Sequence, residues 1–295
     1  MIAVMGATGN TGKPIVEKLL KEGCKVRALG RSADKLKSLA SQGAEALAGQ
    51  ASDAAYLDQS FAGAEAAYVL IPPSFNEPDF PAYQDRIGES IAGALQKSGV
   101  KHVVALSSLG AEHSAGTGPI TGLHRLEERL RKIPGVNVLL LRAGYFFENH
   151  FGSLAMIKHQ GSNGGAIPPD VPIAQIATKD IASAAAAALL KRDFSGIVVR
   201  ELLGQRDLTL REATRILGAK IGKPDLQYVQ LPYDTFAGVL MQLGFSASLT
   251  GLFAEMCRAI NEGRVRTAEG RNPRNSTATT FESFADVLAA AYKAI

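Results

Sequence analysis

The sequence contains no tryptophan and only two cysteines, Cys24 and Cys257, among 295 residues. Two cysteines cannot build the disulfide framework of a small secreted domain, so we expect the chain to work in a reducing compartment. No apolar run approaches the length needed to cross a membrane, and a strand-like run begins at Ile2, which leaves no space for a signal peptide. These absences predict a cytoplasmic protein without a membrane partner.

A large excess of one charge is also lacking, because 32 lysines and arginines face 28 aspartates and glutamates. Basic residues concentrate between Arg258 and Arg274, and two glutamates interrupt that run. No nucleic-acid-binding module accompanies it, so we interpret the run as a solvated face and expect no nucleic-acid partner. No histidine or cysteine spacing indicates a metal site, and no Gly-x-Ser-x-Gly motif indicates a serine hydrolase. The arginines of this run are Arg258, Arg264, Arg266, Arg271 and Arg274.

What the sequence does contain is a glycine-rich turn near its start. The turn lies between the apolar run 2–5 and the amphipathic run 14–20, a pattern that predicts a strand, a tight turn and a helix. Glycines let the main chain approach a pyrophosphate closely, and the free N–H groups of the helix attract its charge. A P-loop is excluded because Lys13 is followed by Pro14 where that motif needs serine or threonine. We therefore expect a dinucleotide pyrophosphate to be bound by Gly6, Thr8, Gly9, Asn10, Thr11 and Gly12.

Apolar runs and helical stripes alternate along the first half of the chain. Such alternation is typical of a parallel sheet covered by helices on both faces, so we predict an α/β, doubly wound Rossmann fold. Ligands of these folds bind outside the carboxyl ends of the strands. Strands are predicted near residues 2–5, 25–29, 44–48, 66–71, 102–106 and 137–142, and helices near 13–22, 33–41, 53–61, 80–98 and 120–132.

The pattern changes after about residue 143, and we predict two domains. Residues 1–150 form the dinucleotide-binding domain, and residues 151–295 form a smaller, mainly helical domain that contributes a lid and part of the substrate pocket. A loop rich in glycine and proline over 160–172 precedes segment 173–200, which we expect to pack back onto the first domain. Two capping boxes, Thr209 to Glu212 and Thr279 to Glu282, predict helix starts. In this half a strand is predicted over 196–203 and helices over 178–190, 233–244, 247–262 and 281–293.

The second predicted strand ends in Leu29-Gly30-Arg31-Ser32, where an NAD-dependent protein usually carries an acidic residue. The planar guanidinium of Arg31 suits a 2′-phosphate, and Lys35 adds charge one helical turn later. We therefore predict NADPH as the cofactor in preference to NADH. The alternative is that Arg31 is an ordinary surface residue paired with Asp34.

The spacing of Gly6, Gly9 and Gly12 and the string GATGNTG resemble the NmrA-like branch of the atypical short-chain dehydrogenase/reductases. The resemblance extends along nearly the whole chain. It implies an NADP(H)-binding Rossmann domain, and in this family the members include both reductases and regulators that bind the cofactor without turning it over.

The resemblance also implies further cofactor contacts. In the family, the loops after the fourth and fifth strands flank the ribose and the nicotinamide, which here means Ile71, Pro72 and Ser107. Gln50 follows Gly49 where related sequences usually carry aspartate near the adenine. The Gln50 amide can still hydrogen-bond an adenine edge, so we include it among the cofactor-binding residues.

The common mechanism of short-chain reductases uses a tyrosine with a lysine four residues later, and none of the seven tyrosines has that neighbour. Members that resemble bacterial quinone and triphenylmethane dye reductases carry instead a histidine with a glutamate four residues on, as His124 and Glu128 are here. The resemblance implies that Glu128 orients the imidazole and that His124 contacts the nicotinamide ribose or donates to the acceptor. A lone histidine near a helix start is otherwise more often structural. Tyr145, which we add to the catalytic candidates, is expected to line the pocket with Phe146, Phe147 and Asn149.

These observations leave two main functions open. The first is an NADPH-dependent oxidoreductase that transfers hydride to a quinone, a dye or a similar small aromatic acceptor. The second is a non-catalytic NADP(H)-binding redox sensor of the NmrA type. A nucleotide-sugar epimerase or dehydratase is a third interpretation, which the missing tyrosine–lysine pair opposes. In either main case we expect a small-molecule ligand and a monomer or homodimer.

Overall fold

A computed structural model describes all residues from 1 to 295. Its central sheet has seven strands, and every neighbouring pair runs parallel. They are β1 (Ile2–Val4), β2 (Val26–Gly30), β3 (Glu45–Ala48), β4 (Ala66–Val69), β5 (His102–Ser108), β6 (Asn137–Ala143) and β10 (Ile197–Leu202). The spatial order is β3-β2-β1-β4-β5-β6-β10, so the chain changes direction of winding between β1 and β4. The predicted doubly wound Rossmann fold is confirmed.

Helices cover both faces of this sheet. Along β1, Ile2 and Val4 belong to one buried cluster and Ala3 to another, because successive strand residues point to opposite faces. The first cluster holds the apolar sides of α1, α2 and α7, and the second holds those of α3, α4 and α5. These helices are α1 (Gly12–Lys21), α2 (Ala33–Ala40), α3 (Ala54–Phe61), α4 (Phe80–Ser98), α5 (Ile120–Arg131) and α7 (Thr178–Lys191).

The second half of the chain adds short elements that the sequence pattern did not reveal. Strands of two to four residues carry too little alternation to be recognised, and β8 lies inside the expected glycine-rich loop. These strands are β7 (Tyr145–Phe146), β8 (Asn163–Gly165), β9 (Ile173–Ile176), β11 (Asp207–Leu208) and β12 (Tyr228–Gln230). The helices of this half are a 3-10 helix (Phe147–Ser153), α6 (Leu154–Gln160), α8 (Leu210–Lys220), α9 (Tyr233–Gln242), α10 (Ala247–Asn261) and α11 (Phe281–Ala294).

This half has a hydrophobic cluster of its own, formed by α6, α8, α11 and Phe147. Segment 173–200 nevertheless contributes to the sheet region, because α7 packs against α1 and β10 pairs with β6. The division into domains at residue 150 stays a prediction. No helix is both long enough and apolar enough to cross a bilayer.

Two helix starts test the predicted capping boxes. At α8 the Thr209 side chain accepts a hydrogen bond from the Glu212 N–H at 3.1 Å, as expected. At α11 the predicted capping box is wrong by one residue. The cap is Thr280, whose hydroxyl oxygen accepts a hydrogen bond from the Ser283 N–H at 3.2 Å. Thr279 donates instead to Asp180 at 2.7 Å, an attachment to α7 that the local sequence could not indicate.

Candidate active site

A cavity of about 1030 Å³ runs along the carboxyl ends of the central strands. Its first end is formed by the turn after β1 and by the end of β2. Its middle is formed by the loops after β4 and β5, and its far end by residues after β6 and by α10. The cavity therefore lies at the point where the winding of the sheet reverses, which is where Rossmann folds bind dinucleotides.

The glycine turn folds so tightly that side chains would obstruct it. Gly6 has φ +62°, and the Gly9 N–H donates to the Gly6 carbonyl at 2.8 Å. A Cβ added to Gly12 would lie 2.2 Å from that same carbonyl oxygen. Gly12 does not line the cavity itself; it allows α1 to begin directly behind the turn. Each glycine therefore serves the close approach of main chain that an anion seat requires.

The start of α1 presents unused hydrogen-bond donors to the cavity. Thr8, Asn10 and Thr11 line it, and their main-chain N–H groups donate to no protein acceptor. The Thr11 side chain is held from behind by the hydroxyl of Tyr68 in β4, which donates to Thr11 Oγ1 at 3.0 Å. Free N–H groups at a helix start fit a pyrophosphate, so the residues present suit a dinucleotide.

Two cationic side chains lie at the end of the cavity next to β2. Arg31 and Lys35 both line it, and neither side chain forms an ion pair or hydrogen bond within the protein. Asp34, the alternative partner of Arg31, is paired with Lys37 at 2.7 Å instead. Arg31 is therefore free to bind an anion such as a 2′-phosphate.

The middle of the cavity is walled by the predicted loop residues. Ile71 and Pro72 line it after β4, and the Tyr83 hydroxyl donates to the Pro72 carbonyl at 2.8 Å, which fixes that wall. Gln50 is exposed and does not line the cavity, although Gly49 and Ala51 on either side of it do. The structure thus places the predicted adenine contact at the outer rim.

Ser107, at the end of β5, lines the cavity above a buried ionic network. Its hydroxyl donates to Glu127 Oε1 at 2.6 Å, and Glu127 is only 3% exposed. Arg142 donates to both oxygens of Glu127, at 3.0 and 2.7 Å, and also to Glu112 at 3.0 Å. Burial alone lowers the pKa of Arg142, but its bonds to Glu127 outweigh this and raise the pKa overall. The network holds Ser107 in one orientation.

His124 and Glu128 do not form the expected pair. Glu128 is exposed and bonds to Arg131 at 3.3 Å, whereas His124 Nδ1 bonds to the Ala111 carbonyl at 2.9 Å. Neither residue lines the cavity, although Leu123 beside His124 does. The physical reason is the period of the helix: positions 122, 126, 127 and 130 of α5 are buried, and position 128 is exposed. His124 thus stabilises the loop after β5.

The far end of the cavity is apolar and aromatic. Tyr145 lines it as predicted, and burial raises the pKa of its phenol far above the ordinary value, so the group is protonated at neutral pH. Phe75 stands at the mouth, 49% exposed, and its ring packs 4.7 Å from that of Phe245. Burial raises the pKa of the nearby Cys257 to about 12, so it is an inert thiol. Other walls at this end are Phe146, Asn149, Leu249, Phe253, Met256 and Ile260. Phe147, also expected in the wall, is instead buried in the cluster with α6, α8 and α11.

Sequence reasoning missed Glu127 and Arg142, although a signal for both was present. Glu127 lies four residues after Leu123 and three before Leu130, which puts it on the apolar stripe of α5. Arg142 ends the apolar strand run 138–141. A charge on each of two buried elements indicates a buried pair. Tyr68 was considered only as a failed catalytic tyrosine, and its link to Thr11 requires the three-dimensional structure.

Together, the glycine turn, the free donors at the start of α1 and the unpaired cations define a dinucleotide-binding protein of the Rossmann class with an attached apolar pocket. The particular family follows from the chain as a whole. The protein belongs to the NmrA-like family, whose sequence profile matches residues 1–285.

Individual relatives agree with this assignment. A (4-alkanoyl-5-oxo-2,5-dihydrofuran-3-yl)methyl phosphate reductase from Streptomyces griseus is 29% identical over 269 residues, covering 91% of this chain and 86% of its own. Quinone oxidoreductase 2 from Escherichia coli is 30% identical over 260 residues, with 86% of each chain covered. The crystal structure of that NADPH-dependent enzyme with NADPH superposes with a TM-score of 0.82 at 25% identity, covering 98% of this chain and 99% of the other.

A third protein shares the fold at lower identity. Triphenylmethane reductase from Citrobacter sp., solved with NADP(H), superposes with a TM-score of 0.80 at 22% identity, covering 98% of this chain and 100% of the other. The likeness therefore extends through both halves of the chain, including the short strands and the helices after residue 200.

Proposed function

We propose that this protein, an NAD(P)H-dependent oxidoreductase of the NmrA-like family, uses NADPH to transfer hydride to a quinone, a dye or a similar small aromatic acceptor. The observation that carries the proposal is one continuous cavity in which a glycine turn, two unpaired cations and an aromatic far end follow each other. Reductases among the relatives, including quinone oxidoreductase 2, support the same reaction class.

The chain's own residues suggest how NADPH is held. The N–H groups of Thr8, Asn10 and Thr11 would bind the pyrophosphate, with Gly6, Gly9 and Gly12 keeping the approach open. Arg31 and Lys35 would bind the 2′-phosphate. Ile71, Pro72 and Ser107 would flank the ribose and nicotinamide, and Gln50 would reach the adenine from the rim.

The reaction needs little covalent chemistry from the protein. When bound, the reduced nicotinamide supplies the hydride. Apolar walls exclude water from the acceptor, and the protonated Tyr145 phenol donates a hydrogen bond to the acceptor oxygen on which negative charge develops. The Ser107 hydroxyl already donates to Glu127, so its oxygen accepts a hydrogen bond from a ligand N–H or O–H.

His124 and Glu128 take different places in this proposal. His124 acts through the Ala111 carbonyl and so positions the loop after β5, which carries the cavity residue Leu109. Glu128 has no role beyond its exposed ion pair with Arg131.

The test measures the oxidation of NADPH by a panel of quinones and dyes, with the absorbance of NADPH as the readout. We expect steady turnover in the wild type and a loss of about tenfold or more in kcat for Tyr145→Phe, with NADPH affinity unchanged. Tyr292→Phe, which removes a hydroxyl outside the cavity on α11, is the matched control and should leave kcat unchanged. His124→Ala should reduce kcat less than Tyr145→Phe does.

Two outcomes would change the conclusion. If His124→Ala abolished turnover while Tyr145→Phe retained it, the histidine and not the tyrosine would contact the acceptor. If NADPH bound with no turnover of any acceptor, the redox-sensor interpretation would replace the reductase.

A further inference from the structure

The arginine-rich run 258–274, interpreted from sequence as a solvated face, contains one side chain that belongs to the cavity. Arg266 lines the far end, together with Val265 and Thr267. The other four arginines of the run are absent from the cavity wall. The interpretation as a uniform solvated face is therefore incomplete.

Three of those other arginines are occupied by contacts within the protein. Arg258 lies over the Tyr233 ring, 4.9 Å from its centroid. Arg264 donates to the Ala115 carbonyl at 2.8 Å, and Arg271 donates to the Gly204 carbonyl at 2.6 Å. Arg266, by contrast, lines the cavity as an exposed residue and forms no hydrogen bond and no ion pair with the protein. An unused guanidinium in a pocket wall is a group available to a ligand.

The main chain that carries Arg266 is held on both sides. Val265 packs against Gly110 in the loop after β5, where a Cβ would lie 3.1 Å from the valine side chain. On the other side, Thr267 and the Ala268 N–H both donate to the buried carboxylate of Glu201 in β10, the latter at 2.8 Å. Because this segment is already ordered, binding a ligand through Arg266 costs little main-chain entropy.

These anchors also place Arg266 far from the 2′-phosphate end. Gly110 follows β5 and Glu201 lies in β10, which are three and five strands away from β2 in the sheet order. At roughly 4.8 Å per strand, the separations from β2 are about 14 and 24 Å. Arg31 and Arg266 therefore serve opposite ends of the cavity.

We propose that Arg266 binds an anionic group, a carboxylate, sulfonate or phosphate ester, on the acceptor itself. This rests on the proposed function, since it names the class of acceptor for the same pocket. The guanidinium fork matches such groups in two-point contact. The one acidic residue in the cavity wall, Asp207, is bonded to Arg271 and so does not neutralise Arg266. The preferred acceptor thus combines a flat conjugated ring with a negative substituent.

The first test measures binding without turnover, by calorimetry in saturating NADP⁺. Naphthoate and naphthyl phosphate serve as anionic probes, and naphthylmethanol is the neutral probe of similar size. We expect the better anion to bind the wild type more tightly than the neutral probe. Arg266→Gln should weaken that anion about tenfold and change naphthylmethanol less than about twofold.

Arg274→Gln is the matched control, because Arg274 is an exposed arginine of the same run that does not line the cavity. It should change none of the three probes. The anion that binds more tightly identifies carboxylates or phosphate esters as the class, and either result supports the proposal. Equal binding of neutral and anionic probes to the wild type would overturn it. So would unchanged anion binding in Arg266→Gln, or a loss of NADPH affinity in that variant.

The second test compares a naphthoquinone with its sulfonate. The measured quantity is kcat/KM for the sulfonate divided by kcat/KM for the unsubstituted quinone. This ratio should fall about tenfold in Arg266→Gln, because KM for the sulfonate rises, and added salt should lower it in the wild type. A ratio that does not change would contradict the proposal. If the wild type reduces neither quinone, the reductase proposal fails, whereas the calorimetric result still decides whether Arg266 binds anions.

Discussion

The two ends of the cavity are built in different ways. The cofactor end comes from the first 35 residues and consists largely of main chain: a glycine turn, free N–H groups and two exposed cations. The acceptor end consists of side chains brought together from β5, β6, α10 and the run 258–274, above a buried ionic network. The first end therefore depends on one short segment of the chain, whereas the other depends on segments that are distant in the sequence.

The largest effect is expected from breaking the cofactor end at Gly12. Gly12→Ala places a Cβ 2.2 Å from the Gly6 carbonyl oxygen, so the turn and α1 must separate. We expect NADPH binding to be lost and the free energy of unfolding to fall by about 1–3 kcal/mol. Fluorescence titration with NADPH and urea denaturation measure the two effects.

The control for Gly12→Ala is Gly93→Ala in α4, where an added Cβ meets no atom within 4 Å. This variant should bind NADPH normally and gain up to roughly 1 kcal/mol of stability from the better helix former. Equal behaviour of the two variants would show that close packing at the turn is unimportant.

The acceptor end can be broken beneath its surface, at Glu127. Glu127→Gln removes the buried charge partner of Arg142 and leaves it only the more exposed Glu112, so we expect the free energy of unfolding to fall by about 3 kcal/mol. Glu128→Gln, one residue later and exposed, should change it by less than about 0.5 kcal/mol. Urea denaturation of both variants makes the comparison. A similar small loss in both would mean that the network under Ser107 contributes nothing to stability.

The smallest of these effects is expected from Arg31→Ala, which tests how the cofactor end binds the 2′-phosphate. Arg31→Ala should weaken NADPH binding about tenfold and leave NADH binding within about twofold, because the side chain is exposed and only one phosphate is affected. Lys25→Ala, at the opposite end of β2, removes the same charge as a control. An unchanged ratio of NADPH to NADH affinity in Arg31→Ala would assign the 2′-phosphate to another group.

Sequence reasoning was most successful where the chain is locally determined. The strand–turn–helix at residues 2–21 follows from neighbouring residues alone, as does the absence of an acid after β2. The sequence identified Arg31 as a candidate for binding the 2′-phosphate. Only the structure shows that its side chain has no ion-pair partner, because Asp34 is paired with Lys37. The start of α11 marks the limit of local prediction. Thr279 and Thr280 are adjacent and either could cap the helix, but Thr279 donates to Asp180 on α7 and Thr280 is the cap.

The acceptor end lay beyond such reasoning. Glu128 was preferred to Glu127 because the resemblance to known members drew attention to a spacing, whereas the helical period of α5 turns position 128 outward. Arg266 looked like one of five equivalent arginines, and only its place in the cavity wall and the contacts of three of the others distinguish it.

The amino-acid sequence by itself determined the Rossmann architecture, the anion-binding turn and the cation after β2, because hydrophobic period, glycine conformation and residue charge are properties of short segments. The tertiary structure alone decided how the buried Glu127 is paired, which arginine of the run 258–274 lines the cavity and where the imidazole of His124 is attached. Those outcomes depend on which distant groups meet. Burial, pairing and access to solvent are set by neighbours in space, and these neighbours come from residues as far apart as Gly110 and Val265.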